Sequence, residues 1–284
     1  MRTGRITTEV LDAAATTRVI CKHGLGADSI DIEAASSQGI PVMITPLANC
    51  ESVAEHTLAL ILSLTRAVTF GDKRVRAGVF EKKTYRGVEL RGKTLGVVGF
   101  GRVGRGLCEL VAPLGMRVVV HRQSRIAEVL PPHVSMARRL DDLLSTADAL
   151  ALHCPLTPHT RGMISRQTIA QMKRGAFLVN TVRGGLVTQS ILFDALRNGW
   201  IAGAALDVFQ DEPPAPNSRL FGLNNVILTP HIAGTSDSSC RNMSMDAARN
   251  VLAVLRGAGG RRFSGERELA REVVRAVVCR TVSP

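Results

Sequence analysis

Aromatic residues are scarce in this chain: one Trp, one Tyr and eight Phe, 4% of 284 residues. Cores must therefore be packed by Val, Leu, Ile and Ala, and the 45% apolar content is enough for that. Acidic residues are also few, 24 against 36 Lys and Arg, which leaves a net charge of +12. No helix-turn-helix, finger or aromatic-basic pattern accompanies that charge, so no nucleic-acid partner is expected. Attraction of an anionic substrate and cofactor accounts for it better. Part of the excess is local, with seven arginines between Arg256 and Arg280 against Glu266, Glu268 and Glu272. Long apolar runs are missing too. The run Leu58–Leu64 is too short to span a bilayer, and Met1-Arg2-Thr3-Gly4-Arg5 leads into no signal-like segment. A soluble, cytoplasmic protein with no membrane partner is the expectation. The cysteines, Cys21, Cys50, Cys108, Cys154, Cys240 and Cys279, lie far apart. None has zinc-ligand or redox spacing, so buried, reduced thiols and no metal are expected.

What the chain does contain is Gly99-Phe100-Gly101-Arg102-Val103-Gly104, set between the apolar run Leu95–Val98 and a helical pattern, Arg105–Val111. In that setting the first Gly makes a tight turn and the second lets the backbone approach a pyrophosphate. The third packs helix on strand, and the helix N-terminus meets the phosphate charge. Further near-continuous apolar runs follow: Arg117–His121, Ala149–Cys154, Ala176–Val182, Ala202–Val208 and Asn225–Thr229. With Leu95–Phe100 they make six strands buried on both faces, alternating with helices. This predicts an α/β fold with a doubly wound parallel Rossmann sheet.

The length allows one large or two ordinary domains. Ahead of the fingerprint, the pattern predicts helices over Ile6–Ala14, Ile30–Ser37 and Ser52–Arg66. Short strands are predicted over Arg18–Lys22 and just after Gly39. A helix over Arg241–Arg256 crosses back toward this region. The predicted division is a discontinuous smaller domain, 1–50 with 237–284, and a dinucleotide-binding domain, 51–236. The active site is expected in the cleft between them.

Several motifs occur in a familiar order: Cys21-Lys22-His23-Gly24-Leu25-Gly26, Ser52-Val53-Ala54-Glu55-His56-Thr57, Gly99–Gly104, Asn180-Thr181-Val182-Arg183-Gly184-Gly185, Ala205-Leu206-Asp207-Val208-Phe209 with Glu212-Pro213, and Thr229-Pro230-His231. Together they resemble the D-isomer-specific 2-hydroxyacid dehydrogenases, a family that includes glyoxylate and hydroxypyruvate reductases and phosphoglycerate dehydrogenases. The resemblance runs from Met1 to about Arg256. It implies hydride transfer between a nicotinamide dinucleotide and a small 2-keto or D-2-hydroxy acid such as glyoxylate, hydroxypyruvate or 3-phosphoglycerate. It also implies a homodimer and a flavodoxin-like smaller substrate domain. Relatives carry about 50 more residues at the front, so that domain is expected to be incomplete at its N-terminus. The basic tail after Gly257 has no counterpart in the family.

That chemistry needs a base, a cation for the carboxylate and a group to orient the base. His231, just beyond a predicted strand, is the candidate acid/base. The resemblance assigns Glu212 to hydrogen-bond it; the alternative is a surface Glu before Pro213. Arg183 beyond Ala176–Val182 is the substrate clamp, since a guanidinium holds a carboxylate with two parallel bonds. Gly24, Leu25 and Gly26 resemble the loop whose amides take the substrate carboxylate, with Arg183 and His231 completing the substrate set. Arg2 matches a weaker substrate position. Asp207 is expected to hold the nicotinamide amide, with Thr181 and Val182 beside it, or else to cap a strand end. The resemblance adds His121, Gln123, Cys154, Pro155, Thr160 and Gly234 to the dinucleotide set, along with Arg183 and His231.

Where an NAD protein usually carries an acid for the ribose 2′-hydroxyl, this chain has His121-Arg122-Gln123-Ser124-Arg125. Arg122 and Ser124 suit a 2′-phosphate, so NADP(H) is favoured over NAD(H); the alternative is a solvated loop. Two further readings stay open from the sequence: a dinucleotide-sensing, co-repressor-like binding protein and an inactive shortened relative. Turnover separates the enzyme from the inactive form. Nucleotide-dependent capture of a partner would support sensing.

Overall fold

In a computed structural model, residues 4–83, 86–123 and 129–257 are described. They divide into two compact units. One takes the described residues of Met1–Cys50 and Gly234–Pro284, and the other takes Glu51–Ala233.

The larger unit is built on a parallel sheet. Its strands are β3 (Thr94–Val98), β4 (Arg117–His121), β5 (Val134–Met136), β6 (Ala149–Leu152), β7 (Phe177–Asn180), β8 (Gly203–Leu206) and β9 (Val226–Leu228). Their order is β5-β4-β3-β6-β7-β8-β9, and every pairing is parallel. The chain leaves β3 for one neighbour and later returns beside it as β6. That reversal is the crevice where doubly wound folds bind ligands.

Alternation within the strands explains the apolar runs. Leu95, Val97, Val118, Val120, Ala149, Ala151, Phe177, Val179 and Ala205 pack on one face with Ala54, Leu60, Ile61, Leu107, Cys108 and Val111. Those partners come from helices α3 (Cys50–Thr65) and α5 (Arg102–Val111). Leu150, Leu152, Leu178, Ala204 and Leu206 pack on the other face with Leu143, Leu144, Ile169, Leu192, Ala195 and Leu196. These belong to α6 (Leu140–Thr146), α7 (Arg166–Gln171) and α8 (Gln189–Arg197). With both faces covered, no strand position needs a polar residue.

The sheet has one strand more than the six expected. β5 is a three-residue edge strand with one buried and two exposed residues, so it leaves no apolar run to read. A second unforeseen element is α4 (Val68–Arg76), which has no buried residue.

The smaller unit contains α1 (Thr8–Ala13), β1 (Ile20–Cys21), α2 (Ile32–Ser37), β2 (Val42–Met43) and α9 (Asp237–Leu255). β1 and β2 pair in parallel, and Leu11, Ile20, Ile30, Ala35 and Ile40 form its core. α9 lies against both strands, and Asn250 Nδ2 donates to Ile44 O at 3.0 Å. Of the described cysteines, Cys21, Cys108 and Cys154 are buried, whereas Cys50 and Cys240 are only half-buried. Among the described residues no single helix is long and apolar enough to cross a membrane.

Candidate active site

Strand register lines up the residues that matter. Val98 pairs with His121 and Leu152, Leu152 with Asn180, Asn180 with Leu206, and Leu206 with Leu228. One residue beyond that row stand Arg122, Gly99, His153, Thr181, Asp207 and Thr229. Six strands therefore deliver their next residue to the same carboxyl edge, where parallel sheets place ligands.

The glycine fingerprint sits at the reversal point. Gly99 has φ +97°, and a Cβ there would lie 2.5 Å from the His153 backbone. Only glycine fits so close an approach to β6. A Cβ on Gly104 would lie 2.4 Å from Gly99 O, which brings α5 directly onto the turn. Gly101 caps α5 without a side-chain bond to the helix, and a Cβ on it would meet nothing within 4 Å. As N-cap, Gly101 brings no side chain of its own to the first amides of the helix, and it faces open space. This fits a pyrophosphate.

Around the rim, His121 is tied to its own fold, with a ring nitrogen 3.3 Å from Ala137 O. Arg122 is half-buried and Gln123 exposed; Ser124 and Arg125 lie outside the described residues, as does Arg2. Cys154 is buried, and burial pushes its thiol up to about 11. Pro155 is exposed and its carbonyl accepts from Thr160 Oγ1 at 2.7 Å. Thr160 Oγ1 also takes the Thr157 amide at 2.7 Å. The Thr160 hydroxyl therefore holds its own loop closed.

His231 lies beyond β9 with φ +55°, an uncommon conformation for a residue with a side chain. Asp207 is what holds it there. Asp207 O accepts from His231 N at 2.8 Å. The Asp207 carboxylate accepts from Thr229 Oγ1 at 2.6 Å, Ile232 N at 2.9 Å and Ala233 N at 2.8 Å. Its side chain is fully buried. The carboxylate thus fixes the His231 loop, as the strand-end alternative expects.

Glu212 and His231 meet. Nδ1 of His231 stands 2.7 Å from Glu212 Oε2. The other oxygen, Oε1, accepts from Phe209 N at 3.0 Å, so the carboxylate is held from both sides. As the carboxylate can only accept, the Nδ1 position carries the hydrogen and Nε2 is left as the working nitrogen.

Arg183 follows β7 in extended backbone. Buried Asn180 shapes the turn: its Nδ2 donates to Arg183 O at 2.8 Å, and its Oδ1 accepts from Val182 N at 3.1 Å. One guanidinium nitrogen, Nη1, donates to Val182 O at 2.6 Å. Gly184 then runs so close to Phe209 that a Cβ would fall 1.9 Å from its carbonyl carbon. The Arg183 turn thereby rests on the loop that carries Glu212.

In the smaller unit, Gly24 N donates to Thr45 Oγ1 at 2.8 Å and Gly24 O accepts from Thr45 N at 2.9 Å. The Gly24 amide is thus used within the fold. Leu25 is 46% exposed and Gly26 half-buried. Gly234, also in this unit, packs against Asn49.

Three residues at the strand edge were given no role from sequence, although His56 and Thr57 lie in the Ser52–Thr57 motif. His56 and Thr57 reach Thr229 and Thr181 from α3, and the ring nitrogens of His153 are buried without a hydrogen-bond partner among the described residues. The available signal was weak: two polar residues inside an apolar helix and a His at the end of an apolar strand.

The profile of the D-isomer specific 2-hydroxyacid dehydrogenase NAD binding domain matches residues 58–233. This chain belongs to the D-isomer specific 2-hydroxyacid dehydrogenase family. As a member it is an oxidoreductase acting on the CH–OH group, and it uses a nicotinamide dinucleotide. It is 42% identical to a glyoxylate reductase of Aeropyrum pernix, over 90% of this chain and 78% of that protein. It is 37% identical to a D-3-phosphoglycerate dehydrogenase of Archaeoglobus fulgidus, covering 89% of this chain but 48% of that longer one. Among solved structures, the TT0316 protein of Thermus thermophilus superposes with a TM-score of 0.81 at 40% identity, covering 89% of this chain and 80% of the other.

Proposed function

We propose that this dehydrogenase is an NADP(H)-preferring reductase of a small 2-keto acid of the glyoxylate or hydroxypyruvate class. The His231–Glu212 pair at 2.7 Å carries the reading. Glu212 fixes the Nδ1 side of the ring, so Nε2 faces the reacting oxygen. The Gly99–Gly104 turn would hold a nicotinamide dinucleotide, which would supply the hydride for the carbonyl carbon. In the same direction the His231 imidazolium gives its Nε2 proton to the carbonyl oxygen, and the product is the 2-hydroxy acid. In oxidation the neutral ring takes the hydroxyl proton back. Arg183 holds the substrate carboxylate with its guanidinium fork, and developing charge on the oxygen is stabilised by the same cation. Residues 51–233 carry the dinucleotide.

Arg122 supports the cofactor choice. It stands directly beyond β4, where an acid would take a ribose 2′-hydroxyl. The names of the relatives favour glyoxylate over larger acids as the first substrate to try.

The test is consumption of NADPH and NADH in parallel with glyoxylate, hydroxypyruvate, pyruvate and phenylpyruvate, with 3-phosphoglycerate assayed in the oxidative direction. Turnover of glyoxylate or hydroxypyruvate is expected to be faster with NADPH, and Arg122→Asp should move that preference toward NADH. Equal rates with both dinucleotides, unchanged in the variant, would reject the cofactor assignment. Activity confined to 3-phosphoglycerate would reject the substrate class.

A further inference from the structure

Helix α3 places two consecutive polar side chains against the row of strand ends. Thr57 is fully buried. Its hydroxyl lies 2.7 Å from Val53 O on its own helix and 3.1 Å from Thr181 Oγ1. The carbonyl can only accept, so Thr57 donates there and receives the Thr181 proton. His56 is half-buried, with Nε2 3.3 Å from Thr229 Oγ1 and 3.8 Å from Asp207 Oδ1.

The direction of these bonds follows from counting protons. Thr229 has one hydroxyl hydrogen, and at 2.6 Å from Asp207 Oδ1 it is spent on the carboxylate. The Thr229 oxygen is then the acceptor for His56, and the chain runs from His56 Nε2–H through Thr229 to Asp207. Asp207 in turn receives Ile232 N and Ala233 N. These are the two amides that follow His231, the residue held at φ +55°. A conformation so sparsely populated persists only where its surroundings over-determine it.

We propose that His56 is a positioning residue for the reaction. It orients the Thr229 hydroxyl onto Asp207 and so fixes the backbone that aims the His231 ring. It touches neither substrate nor cofactor in this scheme. Loss of its N–H frees the Thr229 hydroxyl to turn away, and the buried carboxylate loses its shortest bond. The proposal rests on the reading of His231 as the acid/base, and it gives α3 a role beyond packing.

His56→Leu removes the donor, while His56→Gln keeps an N–H on a side chain of similar reach. Two measurements apply to each variant: hydrogen exchange at the Ile232 and Ala233 amides, and kcat, KM and dinucleotide affinity in keto-acid reduction. In His56→Leu, exchange at those two amides should quicken about tenfold, a local loosening, while core strands stay protected. kcat should fall about tenfold with KM and dinucleotide affinity within about twofold, since misaimed groups cost rate more than binding. His56→Gln should recover most of both. Unchanged exchange or unchanged kcat in His56→Leu would overturn the proposal. So would a Gln variant as defective as the Leu one, because that pattern is lost packing. His231→Ala assayed alongside separates the two failures. If it keeps its turnover, the acid/base reading fails; if it is inactive and His56→Leu is fully active, the fault lies with this proposal.

Discussion

At the scale of the residue, the site is a set of side chains whose positions are dictated by the groups behind them. Glu212 is gripped by Phe209 N on one oxygen and faces His231 with the other. Asp207 collects three donors from the loop that carries His231. Arg183 sits on a turn built by a buried Asn180. Because a guanidinium fork makes two parallel bonds and an ammonium cannot, Arg183→Lys should lower kcat/KM about a hundredfold although the charge is kept. Steady-state rates over a range of keto-acid concentrations check this, and a lysine variant within a few-fold of the native protein would exclude the two-bond clamp. The meeting of His231 with Glu212 was legible in the sequence, because both follow apolar runs in a known order. The grip of Asp207 on the His231 loop was not. Its position after a strand suits either a ligand contact or a cap, and only the fold reveals that its carboxylate points inward. His56 lies in the Ser52–Thr57 motif, but its contact could not be read, because its partner, Thr229, is 173 residues away.

At the scale of the element, six of the seven strands in the larger sheet announced themselves as unbroken apolar runs, five of them inside the sheet and the sixth, β9, a half-buried edge. β5 did not, because an edge strand with two exposed residues needs no apolar sequence. α4 escaped for the same reason, having nothing buried to create a period. The loops are where elements meet at closest range. Gly184 abuts the Phe209 backbone, so Gly184→Ala forces apart the turn bearing Arg183 and the loop bearing Glu212. Such overpacking against main chain should cost about 2–3 kcal/mol of stability and most of the activity. Urea unfolding together with rate measurements tests it. An alanine variant of native stability and rate would mean that the two loops are not braced against each other.

At the scale of the whole molecule, each unit has a core of its own, and the charge and the buried groups decide how the chain responds to its medium. His153 gives a pH dependence of definite sign. Burial pushes its pKa from 6.5 to about 4. Above pH 6.5 the ring is neutral folded or unfolded and has no effect on stability. Between 6.5 and 4 the unfolded chain binds a proton that the folded chain refuses, so stability falls as the pH drops, by about 3 kcal/mol at the lower end. His153→Leu should flatten that part of a stability-against-pH curve measured by urea midpoints. Parallel curves for the two proteins would contradict the burial of a neutral ring. The parallel α/β architecture and family were legible across nearly the whole chain, because six motifs occur in order along it and most of them follow predicted strands. Substrate identity was not, since it is set by pocket shape rather than by the order of motifs.

By the proposed function His231 moves the proton, and the dinucleotide is held chiefly by other groups. The most direct test is His231→Ala, measured for NADPH-dependent glyoxylate reduction and for NADPH affinity on the same preparation. Turnover should fall by about a thousandfold or more, with affinity within about twofold of the native value. Retained turnover would contradict the account, and so would a variant that loses NADPH along with its rate.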